Sequence, residues 1–254
     1  ELADLSAARG QHHAAVSALQ EAREVFDGVG DREDVGQLMI RLARERAQAG
    51  ELDQALRDLE EAGRIAREVG AEDQRLFVRQ GVAEIARWQG RLDEARELLD
   101  SVIADRRRGQ DPIGQRTAIA LSARGHVDVA AGDLDGALGW YRRALQAAID
   151  SRDRPVIARA VELLAAIALA EGDAGRAATL LGNAEVLRGM PDLADVDVVR
   201  VRAAARATLG DQGFARAYRR GTARPRDELL EELAESVRPA AGTPAGPAGR
   251  TPGR

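Results

Sequence analysis

The sequence predicts an all-α solenoid of paired helices, and three periodic observations carry that prediction. Six glycines, Gly10, Gly50, Gly90, Gly132, Gly172 and Gly210, lie 40, 40, 42, 40 and 38 residues apart. Each is followed five residues later by an alanine: Ala15, Ala55, Ala95, Ala137, Ala177 and Ala215. Small residues stand in phase on either side, seven before each glycine at Ala3, Ala43, Ala83, Gly125, Ala165 and Ala203, and seven after each alanine at Ala22, Ala62, Val102, Ala144, Ala184 and Thr222. A fixed period of about 40 residues is how stacked helical repeats show themselves.

Each mark has a physical reason. A glycine just past the last turn of a helix takes the left-handed backbone that a Cβ penalises, so it ends one helix and lets the chain reverse. Small residues around that turn fall where two antiparallel helices cross, and larger side chains would push the axes apart. Leucine fills the space between repeats nine residues after the glycine, at Leu19, Leu59, Leu99 and Leu181, with Tyr141 in the fourth unit and Arg219 in a degenerate sixth.

Paired helices are therefore expected at 1–9 and 11–27, 32–49 and 51–69, 72–89 and 91–108, 112–131 and 133–150, and 154–171 and 173–188, with a weaker pair at 192–209 and 211–221. Asp31 and Asp111 suit N-caps, Pro112 suits a first helical turn, and Gly28, Gly30, Gly70 and Gly109 mark the turns between pairs. Pro225 breaks the chain before a last helix, Asp227 to Val237, whose Leu229, Leu230 and Leu233 form an apolar stripe suited to covering the open end of the solenoid. The Pro/Gly/Ala/Thr-rich tail is expected to be disordered. The resulting division is a solenoid over 1–222, a capping helix over 223–237 and a tail over 238–254.

Composition removes several function classes. The 254 residues suffice for a substantial core, yet aromatics supply only 3%, so packing must rest on Ala, Leu, Val and Ile. A formal charge of −5 argues against nucleic-acid binding, which shows as a basic domain or stripe. The one dense basic run, Arg106-Arg107-Arg108, ends a helix, where cations favour the dipole. There is no cysteine, so disulfides, thiolate ligands and thiol nucleophiles are excluded. All 37 basic residues are arginine, which excludes a Walker lysine, a Schiff-base lysine and a lysine general base. Arginine to the exclusion of lysine, with abundant Ala, Gly, Asp and Val, points to a GC-rich genome and an actinobacterial source. No apolar run is long enough for a membrane span and no leader opens the chain, so a cytoplasmic setting is expected. The chain starts at Glu1, inside a repeat already under way, and reads as the C-terminal part of a longer protein.

Candidate chemistry is thin. His12 and His13 are adjacent on a helix and point about 100° apart, unlike an i, i+4 metal pair. The third histidine is His126. Carboxylate pairs such as Glu60-Glu61 and Glu231-Glu232 sit among arginines, as solvated ion pairs do. Trp88 and Trp140 are read as core residues of repeats short of aromatic bulk. No nucleophile-base or metal constellation emerges, so no catalytic, cofactor or metal residue is assigned and the chain is read as a non-enzyme.

The phased small residues around a helix-turn-helix resemble the tetratricopeptide repeat, over nearly all of residues 1–222. That resemblance implies a right-handed superhelix of about five repeats plus the degenerate sixth. The usual period is about 34 residues, so the longer spacing here implies extra helical turns, similar to the long-helix repeats of bacterial signal-transduction regulators. It also implies a concave groove lined by the first helix of each pair, thirteen, ten, six and three residues before each glycine. The positions are Gln37, Ile40, Arg44 and Ala47, then Phe77, Gln80, Glu84 and Arg87, then Ile119, Ser122, His126 and Val129, then Arg159, Glu162, Ala166 and Leu169. Arginine and amide donors beside an exposed-looking Phe77 suit a peptide or helix groove. The same residues equally suit solvated helix faces without a ligand, and the sequence leaves both readings open. The lysine-containing carboxylate clamp of chaperone-binding repeats is ruled out.

The C-terminal third carries a second resemblance. The stretch Arg176-Ala177-Ala178-Thr179-Leu180-Leu181-Gly182-Asn183-Ala184-Glu185-Val186-Leu187-Arg188 is followed by Leu209-Gly210-Asp211-Gln212-Gly213-Phe214-Ala215-Arg216-Ala217-Tyr218-Arg219-Arg220-Gly221 and a Glu/Leu-rich helix. Over roughly 176–237 it is similar to the end of AfsR-type Streptomyces antibiotic regulatory proteins and related signal-transducing ATPase regulators. Tyr218, where tryptophan is common, and the Met190-Pro191 linker depart from that pattern. The resemblance implies a sensor or protein-interaction domain that regulates an upstream nucleotide-binding switch in a transcriptional activator of secondary metabolism. ATP or ADP is expected in such a full-length protein and no cofactor in this segment. The implied partner is a protein or peptide, including intramolecular contact with the nucleotide-binding domain, with no direct nucleic-acid or membrane binding. Two alternatives remain open: a free-standing adaptor or peptide-binding scaffold, and the repeat region of a LuxR-type ATPase regulator.

Overall fold

The computed structural model describes residues 2–108 and 114–238, and the elements follow the predicted order closely. The first three pairs are α1 (Leu2–Ala8) with α2 (His12–Val29), α3 (Arg32–Gln48) with α4 (Leu52–Val69), and α5 (Glu72–Trp88) with α6 (Leu92–Arg108). Two more follow, α7 (Gly114–Ala131) with α8 (Leu134–Ser151), and α9 (Arg154–Ala170) with α10 (Ala174–Arg188). The chain ends in α11 (Val196–Thr222) and α12 (Arg226–Val237). Asp111, Pro112, Gly109 and the tail from 239 lie outside the described residues, as does the connection that holds the extra length of the 42-residue interval.

The first five glycine marks are one structure repeated. Each has positive φ, and each closes the same pair of hydrogen bonds. At Gly50 the glycine N–H donates to Ala47 O at 3.1 Å and the next N–H, of Glu51, reaches back to Arg46 O at 2.9 Å. Gly10, Gly90, Gly132 and Gly172 reproduce that doubled bond, so the last carbonyls of each first helix are satisfied while the chain turns. The second helices then start at once. Ala15, Ala55, Ala95, Ala137 and Ala177 are fully buried, and Leu19, Leu59, Leu99, Tyr141 and Leu181 lie buried nine residues after the glycines. Asp31, Asp133, Asp153 and Asp173 accept N–H bonds as N-caps, each worth about 1 kcal/mol. Gly30 and Gly70 end helices between pairs, whereas Gly28, expected in that turn, is the penultimate residue of α2. Arg152 takes the left-handed position between the fourth and fifth pairs.

The sixth mark differs. Gly210 has φ 68° and ψ 165° and joins the two segments of α11, which fold back on each other as an antiparallel pair: Arg202 donates to the Tyr218 hydroxyl at 3.2 Å and the Arg206 guanidinium stands 5.1 Å from the Phe214 ring. The buried residues move with it: Ala203 is exposed and Ala215 half-buried, while Val198, Val201, Ala205, Phe214 and Ala217 face the core. The first segment also begins later than its expected start at 192, because Gly189 to Asp195 form a loop.

Consecutive first helices α3, α5, α7, α9 and the first half of α11 touch one another, which puts them on a shared inner face. The terminal helix forms as expected, and Leu229 is buried with Leu230, Leu233 and Val237 packed around it. It lies along α8 and α10, on the outer side of the fourth and fifth pairs, and not over the end of the sixth.

Two glycines explain the C-terminal stretch in physical terms. A Cβ on Gly182 would run into the carbonyl oxygen of Tyr218, and one on Gly221 into that of Thr179. Thus α10 and the second half of α11 cross backbone to backbone, and the Thr179 hydroxyl, 3.1 Å from Ala217 O, donates across the crossing. Tyr218 stacks on Phe214 at 5.6 Å and donates to Glu185. Gly221→Ala is expected to lower stability by about 1–3 kcal/mol through overpacking against backbone, a fall in melting temperature of several degrees. Gly139→Ala, in α8 with open space where its Cβ would stand, should instead raise stability by up to about 1 kcal/mol. Thermal denaturation followed by circular dichroism reads both; equal melting of Gly221→Ala and the parent would contradict the close crossing.

Candidate functional site

The loop between α10 and α11 defines the site. In other described inter-repeat connections two residues suffice, as at Gly70-Ala71, but here Gly189 to Asp195 separate the helices. Gly189 ends α10 in the left-handed conformation. Asp192 Oδ1 accepts the N–H groups of Ala194 at 3.0 Å and Asp195 at 2.9 Å, shaping a turn. Asp195 then caps α11, its Oδ1 accepting from Asp197 N at 2.9 Å. The result is a hydrogen-bonded strap that carries Asp192 and Asp195 and leads into Asp197 in the first turn of α11.

The strap crosses to distant repeats. The carbonyl of Leu193 packs over Gly10, where a Cβ would come within 2.5 Å of it. Val196 N–H donates to Gln48 Oε1 at 2.8 Å. Arg87 forks onto Asp197 with two hydrogen bonds, one of 3.1 Å, and both side chains are largely buried. Arg159 lies 3.7 Å from Asp195. Arg188 grips Glu162 through two hydrogen bonds, one of 2.7 Å, and stands 3.4 Å from Asp192. The first three repeats are thereby tied to the last two through the concave face.

The electrostatics follow from this packing. Burial pushes the carboxyl of Glu162 above its ordinary pKa even though Arg188 opposes it. Burial also lowers the imidazole of His126, against the pull of Asp197. Desolvation would raise Asp197 too, but His126 and the Arg87 fork bring it down to about 2.

Beside the strap the groove stays open. A cavity of about 220 Å³ is lined by Gln37, Ile40, Arg44 and Ala47 of α3, Phe77, Gln80 and Glu84 of α5, Ile119 of α7 and Arg159 of α9. Four successive first helices meeting at one cavity shows that the inner face is concave. A second cavity of about 290 Å³ adjoins it, sharing Arg41 and Arg44 and bounded by the strap residues Met190, Pro191 and Asp192.

The expected groove residues thus separate into two sets. Gln37, Arg44, Phe77, Gln80, Glu84 and Arg159 line the open cavity. Arg87, His126 and Glu162, with Arg159 shared, meet the strap or the residues that hold it. Ser122 is fully buried and does not line the cavity. Phe77 is half-buried, with Arg106 and Arg116 guanidinium groups 5.1 and 5.6 Å from its ring; Arg106 thus packs on Phe77 outside the cavity lining and is more than a helix-end cation.

Several contributors were not anticipated. Trp88 packs against the core around Leu59 and Ile85 and also lines the cavity. Gln48 and Arg41 lie one residue off the predicted stripe positions, where the 3.6-residue turn still brings them to the inner face. Asp192, Asp195 and Asp197 fall inside the helix expected at 192–209, and only the Met190-Pro191 linker marked a break before it. His12 and His13 lie apart from the groove contacts of the strap, donating to Glu45 at 2.9 Å and facing Glu51 at 3.3 Å. Among the described residues no cluster of three or more His, Asp or Glu could hold a metal, and no helix is long and apolar enough to cross a membrane.

Residues 76–150, from α5 through α8, match the family model described as Tetratricopeptide repeat. The chain is also similar to the crystal structure of BtubC (BKLC) from P. vanneervenii, at 16% identity over 96% of this chain and 98% of that one, with a TM-score of 0.53. At that identity the likeness concerns the fold. No curated protein matches the chain. Fold and family match together define the class: an all-α tetratricopeptide-repeat-like solenoid.

The strap's ion pair has a pH signature. Because the folded-state pKa of Asp197 is depressed, its contribution is fully present above the ordinary carboxylate value near 3.8 and is lost as pH falls through about 2. The size is about 2 kcal/mol. The stability gap between the parent and Asp197→Asn, measured by denaturant unfolding, is expected to shrink as pH drops from about 4 to about 2. Arg87→Ala, which leaves that carboxylate buried without its fork, should cost about 3 kcal/mol or more at neutral pH; a loss below ~0.5 kcal/mol would show that the strap is not held by this pair.

Proposed function

We propose that this chain is the sensor and protein-interaction domain of an actinobacterial transcriptional activator of the Streptomyces antibiotic regulatory type, where it controls an upstream nucleotide-binding switch. The open cavity on the concave face, beside a stretch of groove where the chain's own strap is seated, carries this reading. A solenoid whose inner face is polar, arginine-rich and partly vacant is arranged to hold another segment, not to perform chemistry. The resemblance of residues 176–237 to the end of such regulators supplies the biological setting, and the Gly182–Gly221 crossing gives those residues a concrete structural role.

In this reading a partner in the cavity prefers one curvature of the solenoid, and that preference is transmitted to the switch as a shift in population. The transmission requires differential affinity for two states, since a ligand that binds both equally shifts nothing. The strap is the element positioned to make curvature discrete, because its contacts either span the repeats or do not.

In-frame coding sequence upstream of Glu1 is expected to specify a nucleotide-binding domain; an initiator methionine immediately before Glu1 would overturn the reading in favour of an adaptor. The chain by itself is expected to bind neither ATP in equilibrium dialysis nor duplex DNA in a mobility shift at physiological salt. Specific DNA binding by the isolated chain would contradict it equally.

A further inference from the structure

Away from the concave face, the C-terminal helix closes over a cavity of its own. Of the apolar stripe of α12 only Leu229 is fully buried, while Leu233 and Val237 are partly buried. The helix therefore rests on α8 and α10 without filling the groove between them. A cavity of about 410 Å³ lies under it, within the ~300–1,000 Å³ of small-molecule sites.

Its lining has two characters. Leu138 of α8, Leu164 of α9, Leu180 of α10 and Leu233 of α12 supply apolar surface. The charged lining is three arginines, Arg142, Arg176 and Arg224, against the single carboxylate of Glu232, a local positive excess in a chain of net charge −5. Arg224 is 2.5 Å from Glu232 and Arg176 is 3.2 Å from Glu171, outside the cavity. Arg142 is exposed and makes no hydrogen bond or ion pair among the described residues. Asn183, only 8% exposed, lines the same cavity and its side chain has no hydrogen-bond partner among the described residues. Its Oδ1 is shut inside the wall, so Nδ2 is the group of that amide left for a ligand, and it is a donor. Tyr141 adds a third polar group: its hydroxyl meets Ser236 of α12, and burial pushes its pKa up to about 12 against the pull of Arg176 and Arg142. Every polar group aimed at this space other than Glu232 thus favours an anion.

We propose that the cavity between α8, α10 and α12 binds a small aliphatic carboxylate, its hydrocarbon chain against Leu138, Leu180 and Leu233 and its carboxylate on Arg142. One unpaired guanidinium matches one negative charge, and its planar fork fits a carboxylate. A dianionic phosphate would keep one charge unmatched. The hydrocarbon is aliphatic because the wall is leucine; the one aromatic ring, Tyr141, is 6% exposed and offers no face for stacking. Since α12 forms one wall, the ligand fastens that helix to α8 and α10. The site stands apart from the concave face and does not rest on the reading of that face.

The test titrates the whole chain with octanoate by calorimetry, with 1-octanol and octyl phosphate as comparison ligands. One saturable octanoate site is expected. Binding of 1-octanol should be roughly tenfold weaker or more, and Arg142→Ala should weaken octanoate by a similar factor, since each removes the charge-assisted bond. Because Arg142 is exposed and unpaired, its loss should leave the melting curve in place, so lost binding cannot be ascribed to unfolding. Arg44→Ala, at the concave cavity, should leave octanoate binding unchanged. Amide hydrogen exchange across residues 226–237 should slow when octanoate is bound. Equal affinity for octanoate and 1-octanol overturns the proposal, and octyl phosphate binding as tightly as octanoate overturns the carboxylate. Binding that Arg142→Ala leaves intact, or that leaves exchange in α12 unaltered, places the ligand elsewhere and overturns the site. Absence of binding at about 1 mM overturns it as well.

Discussion

The fork of Arg87 on Asp197 is the contact on which the shape of the molecule depends. In a solenoid each repeat touches only its neighbours, and curvature is the sum of small rotations that nothing else checks. Here residues 110 positions apart meet in a largely buried ion pair. Val196 on Gln48 and Leu193 over Gly10 reinforce the closure. Such a contact is expensive to form: two charges leave water and a long stretch of chain must close, although the closure entropy grows only slowly with length. Its value lies in selecting one geometry, because the fork is satisfied only when the third repeat and the start of α11 stand at the right distance.

How much of this was legible follows the range of the interactions involved. The five reversals at Gly10, Gly50, Gly90, Gly132 and Gly172 could be read because each is decided within six residues, by a left-handed glycine and two backbone bonds. The buried alanines followed because helix periodicity carries that phase along the second helix. Gly210 bears the same local mark and also stands where two helical segments fold back on each other, but a shortened α10 and the strap precede it and the burial of the sixth unit is shifted. Ala203 and Ala215 therefore kept the spacing and lost the burial.

The groove was legible as a set of positions and illegible as a set of roles. Gln37, Arg44, Phe77, Gln80 and Glu84 do converge on one cavity, because residues spaced by three and four share a helix face and the repeats stack in register. Whether an arginine on that face is vacant or satisfied depends on a loop a hundred residues away. Arg87 and Arg44 look alike in sequence; one is buried in a fork and the other is exposed. Pro191 indicated an interruption, but no local rule states where an interrupted chain will lie. The terminal helix teaches the same point: its leucine stripe predicted burial, and only the packing partners placed it on α8 and α10.

Closing part of the groove with the chain's own residues changes what the rest can do. A long flexible solenoid would have to order its repeats around a ligand, and that ordering would be subtracted from affinity. With the strap in place, Arg159 is anchored beside Asp195 and the wall from α3 to α9 is set before any partner arrives. The absence of lysine works in the same direction, because the planar arginine fork loses less freedom per hydrogen bond formed than a flexible ammonium does. The strap thus acts as permanent filler for one part of the concave face and as scaffold for the rest. It leaves a small preorganised cavity lined by Arg44, Phe77 and Gln80.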